Sequence, residues 1–240
     1  MIITPPLKKA PYEFHSLDEL KKLIAQRGQF FGEDKSEDAC KYRPDYPCGI
    51  SLYKYWGMTG HNGLDIPCND SEPILASHDG IVVETSSDES AGLGVVLWDD
   101  IQLIKTIYWH LKSFPVQVGN RVKRVDIIGL ADNTGFSSGT HLHFGLKQTN
   151  QNGTTVNWEN GYAGSIDPWP HLVWFNDMEL IKLKDSKDIW LVKDGKRSLV
   201  YNVSAFQLIG GNIDQVKELT QDQFDIIPDS GLVLAGIAQE

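Results

Sequence analysis

Four residues of this 240-residue chain have types and spacings suited to holding a divalent cation. His61 and Asp65 stand four apart in His61-Asn62-Gly63-Leu64-Asp65, and His141 and His143 stand two apart in Gly139-Thr140-His141-Leu142-His143-Phe144. The second segment alternates polar and apolar residues like a β-strand, whose period of two puts both imidazoles on one face while Leu142 and Phe144 turn to a core. Zinc takes nitrogen and oxygen ligands in a tetrahedron, and a catalytic site keeps one of the four positions for water. His61, Asp65 and one of His141 or His143 fill the other three. Zinc lowers the pKa of its water to about 7, and a further imidazole close by serves as general base or as donor to a developing oxyanion.

Either motif alone is a weak signal, because both spacings also arise without a metal. A cupin-type site needs a Glu soon after its His-x-His, and Phe144-Gly145-Leu146-Lys147-Gln148 offers no carboxylate. Cys40, Cys48 and Cys68 contain no Cys-x-x-Cys pair, which excludes a zinc finger. Their odd number leaves at least one thiol unpaired in a monomer, while Cys40 and Cys48 are spaced to close a short loop in an oxidising setting. Cys68, three residues after Asp65, reads as a small buried residue more than as a ligand. His15, His78 and His171 lack a comparable context and read as exposed or packing histidines. The seven tryptophans are first of all core and rim residues, with Trp56, close to the first motif, best placed to line a groove.

The elements that must carry these side chains are short strands. Pro73-Ile74-Leu75-Ala76, Ile81-Val82-Val83, Gly94-Val95-Val96-Leu97-Trp98, Leu103 to Trp109, and Asp126-Ile127-Ile128-Gly129-Leu130 are apolar, rich in β-branched residues and separated by turn signals. Repeated strands with no long helix between them predict antiparallel sheets in a sandwich or open barrel running to about Leu146. Ahead of them, Ser16 as cap with Glu19 three residues on, followed by Leu17, Leu20 and Ile24, predicts a helix over residues 16–28 that Gly28 ends. Residues 29–60 show no sustained period and read as a long structured loop. The stretch Gly32 to Trp56 is a candidate wall of a substrate cleft. Beyond a boundary near residue 174, Asp188 to Val192 and Ser198 to Tyr201 flank the turn Lys193-Asp194-Gly195-Lys196, and Asn202 caps a short helix through Ile209.

Composition narrows the partners. With 41% hydrophobic and 22% charged residues the chain has the balance of an ordinary globular protein. A formal net charge of -10 argues against nonspecific binding to nucleic acid or anionic lipid. No apolar run approaches the roughly 18 residues of a membrane span, and the first residues lack the pattern of a secretory leader. Nothing in the sequence sets the oligomeric state.

Residues 57–170 resemble the lysostaphin-type (LytM-like) zinc metallopeptidase family, whose members cleave peptides in bacterial peptidoglycan. The resemblance rests on Gly60-His61-Asn62-Gly63-Leu64-Asp65, Pro73 to Val82, Tyr108-Trp109-His110-Leu111, Val116 to Arg124, Ile128 to Gly135, and Gly139 to Phe144, in that order and over nearly half the chain. It implies a mainly β fold, an antiparallel sandwich or open barrel with a duplicated hybrid motif, here with an N-terminal helix and a small C-terminal α+β annex. It implies zinc held by His61, Asp65 and His143, with His110 and His141 orienting or deprotonating the water and stabilising a tetrahedral intermediate. Thr140 stands where the family commonly has Pro, a departure that bears on loop stiffness more than on chemistry.

The expected organisation is a helix and loop at 1–56 packed on the catalytic domain, a zinc metallopeptidase domain at 57–174, and a hairpin-helix unit at 175–240. The expected activity is zinc-dependent endopeptidase cleavage of a stem-peptide crosslink or glycine bridge. It would act at the cell wall as a phage lysin or virion-associated enzyme, or as a chain whose leader has been removed. Two competing expectations are a non-catalytic wall-binding or activating module on the same fold, and a zinc carboxypeptidase releasing terminal D-alanine.

Overall fold

Alternating β-branched segments form strands in the computed structural model, which describes residues 3–7, 16–137, 139–172, 178–193, 196–201, 203, 206, 213 and 216–234. The chain divides into two units, Ile3–Val173 and Trp174–Glu240. Helix α1 (Leu17–Arg27) starts at Ser16, whose hydroxyl accepts from the Glu19 N–H, and buries Leu20, Leu23 and Ile24. Two single-turn helices, α2 (Ala39–Tyr42) and α3 (Leu52–Tyr55), punctuate the segment expected to be a loop.

Nine strands follow among the described residues: β1 (Leu64–Pro67), β2 (Pro73–Leu75), β3 (Gly80–Asp88), β4 (Gly92–Asp99), β5 (Ile104–Ser113), β6 (Arg121–Val122), β7 (Ile127–Ala131), β8 (His141–Gln148) and β9 (Ser165–Ile166). They hydrogen-bond in the order β1-β8-β5-β4-β3-β6, with β7 joining β2 to β5 and β9 lying on β8. Every pairing is antiparallel. The fold is thus mainly β with antiparallel sheets that do not close into a barrel, in line with the open form of the expectation.

Strand β5 is the hinge of this arrangement. It pairs with β8 as far as Trp109↔His143 and takes up β7 at Leu111↔Ala131, so His110 is the residue at which it changes partner. Leu64, Ile66, Leu97, Ile104, Tyr108, Leu111, Leu142, Phe144 and Leu146, each fully buried, fill the interior. On β8, Leu142, Phe144 and Leu146 alternate with His143, Gly145 and Lys147, and all six are buried, so the strand is covered on both faces.

The second unit holds β10 (Met178–Leu183), β11 (Ile189–Lys193), β12 (Lys196–Val200), β13 (Lys217–Leu219), a helix α4 (Gln221–Asp225) with a Thr220 capping box, and β14 (Asp229–Leu234). The antiparallel trio β10, β11 and β12 is flanked by β13 and β14, each parallel to its neighbour. Ile181, Val192, Leu219, Phe224 and Ile227 form its own core. Two strands of the expected hairpin are present as β11 and β12; its Asp194 and Gly195, most of the helix expected over 202–209, Trp174 and His15 lie outside the described residues. No described helix is long and apolar enough to cross a membrane.

Candidate metal centre and cleft

Asp65 and His143 meet because β1 and β8 pair in a register that sets them directly opposite, Asp65↔His143, with Pro67↔His141 two positions along. Directly opposed residues on one face bring their side chains into contact. His61 joins them through a tight approach. A β-carbon at Gly63 would stand 2.7 Å from the Phe144 carbonyl oxygen, and one at Gly60 would stand 2.5 Å from the Gly32 carbonyl oxygen. Residues Gln29 to Glu33 run beside this turn: the Asp65 N–H donates to the Gln29 carbonyl at 2.9 Å, the His61 N–H to the Glu33 carbonyl at 2.8 Å, and the Gly32 N–H to the His61 carbonyl at 2.8 Å.

Three atoms converge as a result. His61 Nε2, Asp65 Oδ1 and His143 Nδ1 form a triangle with sides of 2.9, 3.0 and 3.1 Å. His61 Nδ1 lies 3.3 Å from the Phe30 carbonyl and donates to it, which turns the lone pair of the ring to Nε2. Burial pushes His143 down to about 4, so its imidazole is neutral near pH 7. Burial alone would raise the Asp65 carboxyl, but attraction to His61 and His141, with hydrogen bonding from His141 and His143, holds it well below the usual carboxylate range. Two imidazole nitrogens and a carboxylate oxygen are a zinc donor set, and ligands at about 2.0–2.1 Å from a common centre span edges close to those observed. Among the described residues this is the one group of His, Cys, Asp and Glu with such convergence. Cys68 is buried and outside it, its thiol pushed up to about 12 by burial and by Glu72.

Two further imidazoles flank the triangle. His141 Nε2 is 3.5 Å from Asp65 Oδ1, and its Nδ1 donates to the Gly139 carbonyl at 2.7 Å. His110 Nδ1 donates to the Thr134 carbonyl at 2.6 Å. The two ring centroids are 4.7 Å apart. Each histidine therefore presents Nε2 as its ring nitrogen for proton exchange. Burial, reinforced by His141 and His143, pushes His110 down to about 3. Burial would lower His141 as well, but Asp65 and the Gly139 carbonyl outweigh it and raise the group. His110 has φ of 65°, in the left-handed region that a residue with a side chain seldom adopts. That corner puts His110 into the same cleft as its neighbour Trp109, whereas regular alternation would send adjacent residues to opposite faces.

The cleft around these groups has a volume of about 500 Å³. Tyr42, Leu52, Tyr53, Trp56, Phe136 and Ser137 are among the residues that line it. Trp56 and Phe136 lie parallel within 3° with centroids 6.2 Å apart, and Tyr46 packs on Tyr55 at 4.2 Å. The Cys40–Cys48 disulfide closes the loop that follows α2, and Arg43, paired within that loop with Asp45, ties it to Glu89. The stretch Gly32 to Trp56 thus lies against the site, and Trp56 is among its lining residues.

Sequence reasoning overlooked two contributors. The Phe30 carbonyl reaches His61 through a backbone bridge between distant segments, which leaves no side-chain signal. Trp109, whose ring stacks on His143 with centroids 4.9 Å apart and planes 20° apart, reads in the sequence as one more core aromatic. His78, in contrast, is a packing histidine: it is buried, with Nδ1 on the Asp79 carbonyl at 2.8 Å and Nε2 at 2.8 Å from Thr106 Oγ1.

Residues 59–158 match the model of peptidase family M23. Glycyl-glycine endopeptidase ALE-1 of Staphylococcus capitis is 37% identical over 102 residues, which is 41% of this chain and 26% of that protein. Peptidoglycan DD-endopeptidase ShyA of Vibrio cholerae is 40% identical over 86 residues, 36% of this chain and 20% of that protein. The solved catalytic domain of the antimicrobial peptidase lysostaphin from Staphylococcus simulans aligns with a TM-score of 0.44 at 25% identity, over 65% of this chain and 97% of that one. The chain spans about a quarter or less of the length of these two curated relatives.

Proposed function

We propose, starting from the match of residues 59–158 to the model of peptidase family M23, that the chain is a zinc-dependent endopeptidase of that family, hydrolysing an amide bond in the peptide part of bacterial peptidoglycan. The observation that carries the reading is the triangle of His61 Nε2, Asp65 Oδ1 and His143 Nδ1, three donor atoms about 3 Å apart at the floor of a cleft. Two relatives whose names describe endopeptidases support the substrate class. The Cys40–Cys48 disulfide supports an oxidising location such as the wall outside the membrane.

In this reading His61, Asp65 and His143 hold zinc. A zinc ion there supplies Lewis acidity towards a carbonyl oxygen and lowers the pKa of water. His110 and His141, each with Nδ1 tied to a backbone carbonyl, exchange protons and hydrogen-bond at Nε2, where a general base and an oxyanion donor are needed. The aromatic lining of the cleft binds and orients the peptide and keeps water from the scissile bond.

Metal content measured beside kinetics tests these roles. His61→Ala, Asp65→Ala and His143→Ala lose zinc and activity together, whereas His110→Ala and His141→Ala keep most of the zinc and lose turnover by about 10²-fold or more. Full zinc retention in His143→Ala would overturn the ligand assignment. Mass spectrometry of muropeptides released from a panel of purified walls identifies the bond. Cut crosslinks support the endopeptidase; free D-alanine with intact crosslinks makes it a carboxypeptidase, and a zinc-loaded protein inert on every wall makes it a binding module.

A further inference from the structure

Metal-ligating histidines ordinarily donate their second ring N–H to a carboxylate, carbonyl or water, and this fixes the orientation of the ring. His61 follows that pattern through the Phe30 carbonyl. His143 does not: its Nε2 is buried and has no hydrogen-bond partner among the described residues. Its ring must be held by packing.

The packing group is Trp109. The β5–β8 register pairs Trp109 directly with His143, and the indole lies nearly flat on the imidazole, centroids 4.9 Å apart and planes 20° apart. On neighbouring β4, a β-carbon at Gly94 would stand 2.4 Å from Trp109 Cδ1 and 3.1 Å from its Nε1. The indole therefore sits where any side chain at position 94 would be. Along another edge of the imidazole, a β-carbon at Gly63 would stand 2.9 Å from His143 Cε1 and Nε2. Two glycines thus leave room for one stacked pair.

We propose that Trp109 is a positioning residue, whose indole, seated in the space left by Gly94, holds the plane of the His143 imidazole in place of the hydrogen bond that a ligating histidine usually makes. The stack fixes the ring plane; the contacts of Nδ1 with Asp65 and His61 choose between its two flipped orientations. The inference rests on the reading of His143 as a metal ligand. It adds a requirement for a flat ring at position 109, which bulk alone does not meet.

Zinc affinity by chelator competition and the visible spectrum of the cobalt(II)-substituted protein test it in Trp109→Phe, Trp109→Leu, Trp109→Ala, Gly94→Ala and His143→Ala. Trp109→Ala and Trp109→Leu weaken zinc binding about 10- to 100-fold and change the cobalt spectrum. Trp109→Phe restores most of both, and Gly94→Ala, which displaces the indole, shifts them in the direction of Trp109→Ala. Should Trp109→Ala fail to fold, judged by its thermal transition, the comparison of Leu with Phe decides, since both keep bulk and only one keeps a plane. Wild-type affinity and spectrum in Trp109→Leu, with zinc lost in His143→Ala, overturn the positioning role and leave the ligand reading intact. Wild-type affinity in His143→Ala overturns the ligand reading itself.

Discussion

Gly63 and His110 are the two residues on which the geometry of the centre turns. Gly63 has no room for a side chain, with the Phe144 carbonyl and the His143 ring both within 3 Å of where a β-carbon would go. Gly63→Ala is expected to cost about 1–3 kcal/mol of stability, as forced overpacking does, and to lower zinc content, measured by denaturant unfolding and metal analysis. His110 holds a left-handed backbone of the kind that costs about 1–3 kcal/mol and clusters at functional sites. The convergence of Asp65 with the His-x-His pair was readable from residue types, because alternation on a strand is a local rule. The inward aim of His110 was not, because it depends on β5 exchanging β8 for β7, a non-local event. His78 adds a pH effect. Burial lowers its pKa below the ordinary 6.5, so the folded state binds fewer protons than the unfolded one; the stability this confers is complete above about pH 6.5 and is lost as the pH falls below it. Replacing His78 with Gln should flatten the fall in unfolding free energy between about pH 6.5 and 5, a slope of at most about 1.4 kcal/mol per pH unit for one proton.

The wall of the cleft is built from elements too short to announce themselves. Helices α2 and α3 have four residues each, less than two turns, so no hydrophobic period can develop. What organises them is a covalent clip and stacked rings: Cys40–Cys48, the Tyr46 and Tyr55 pair, and Trp56 beside Phe136. Cys40→Ser with Cys48→Ser is expected to lower stability by about 2–3 kcal/mol, the entropy of a loop this short. It should also raise KM on a peptide substrate more than it lowers kcat, since the triangle is carried by β1, β8 and the turn that holds His61, and not by this loop. An equal loss in both constants would place the loop in the chemistry. The strands, by contrast, were readable in kind but not in length. Ile81 to Val83 marks only the apolar start of β3, whose remaining residues are polar and mostly half-buried or exposed, and the two-residue β6 and β9 exist only as pairings.

For the molecule as a whole, each unit has its own core. The second gathers Ile181, Val192, Leu219, Phe224 and Ile227, with the Arg197 guanidinium bonded to the Phe224 and Ile227 carbonyls and lying 4.2 Å from the centre of the Phe224 ring. Its parallel outer strands were invisible in the sequence, since parallel pairing joins segments through long connections that no turn motif marks. A chain ending at residue 173 is expected to unfold in one cooperative transition and to bind zinc as the full chain does, checked by calorimetry and metal titration. A broad, non-cooperative melt would mean that the first core depends on residues 174–240.

Near its start the first unit is stitched to its own far end: the Ile3 N–H donates to the His171 carbonyl at 2.9 Å, and Ile3 bridges Leu172. A body whose two ends meet at a single spot is a transplantable cassette. Spliced into an exposed loop of an unrelated carrier, it separates the flanks of that loop by little more than a strand spacing, so guest and carrier can each keep their native packing.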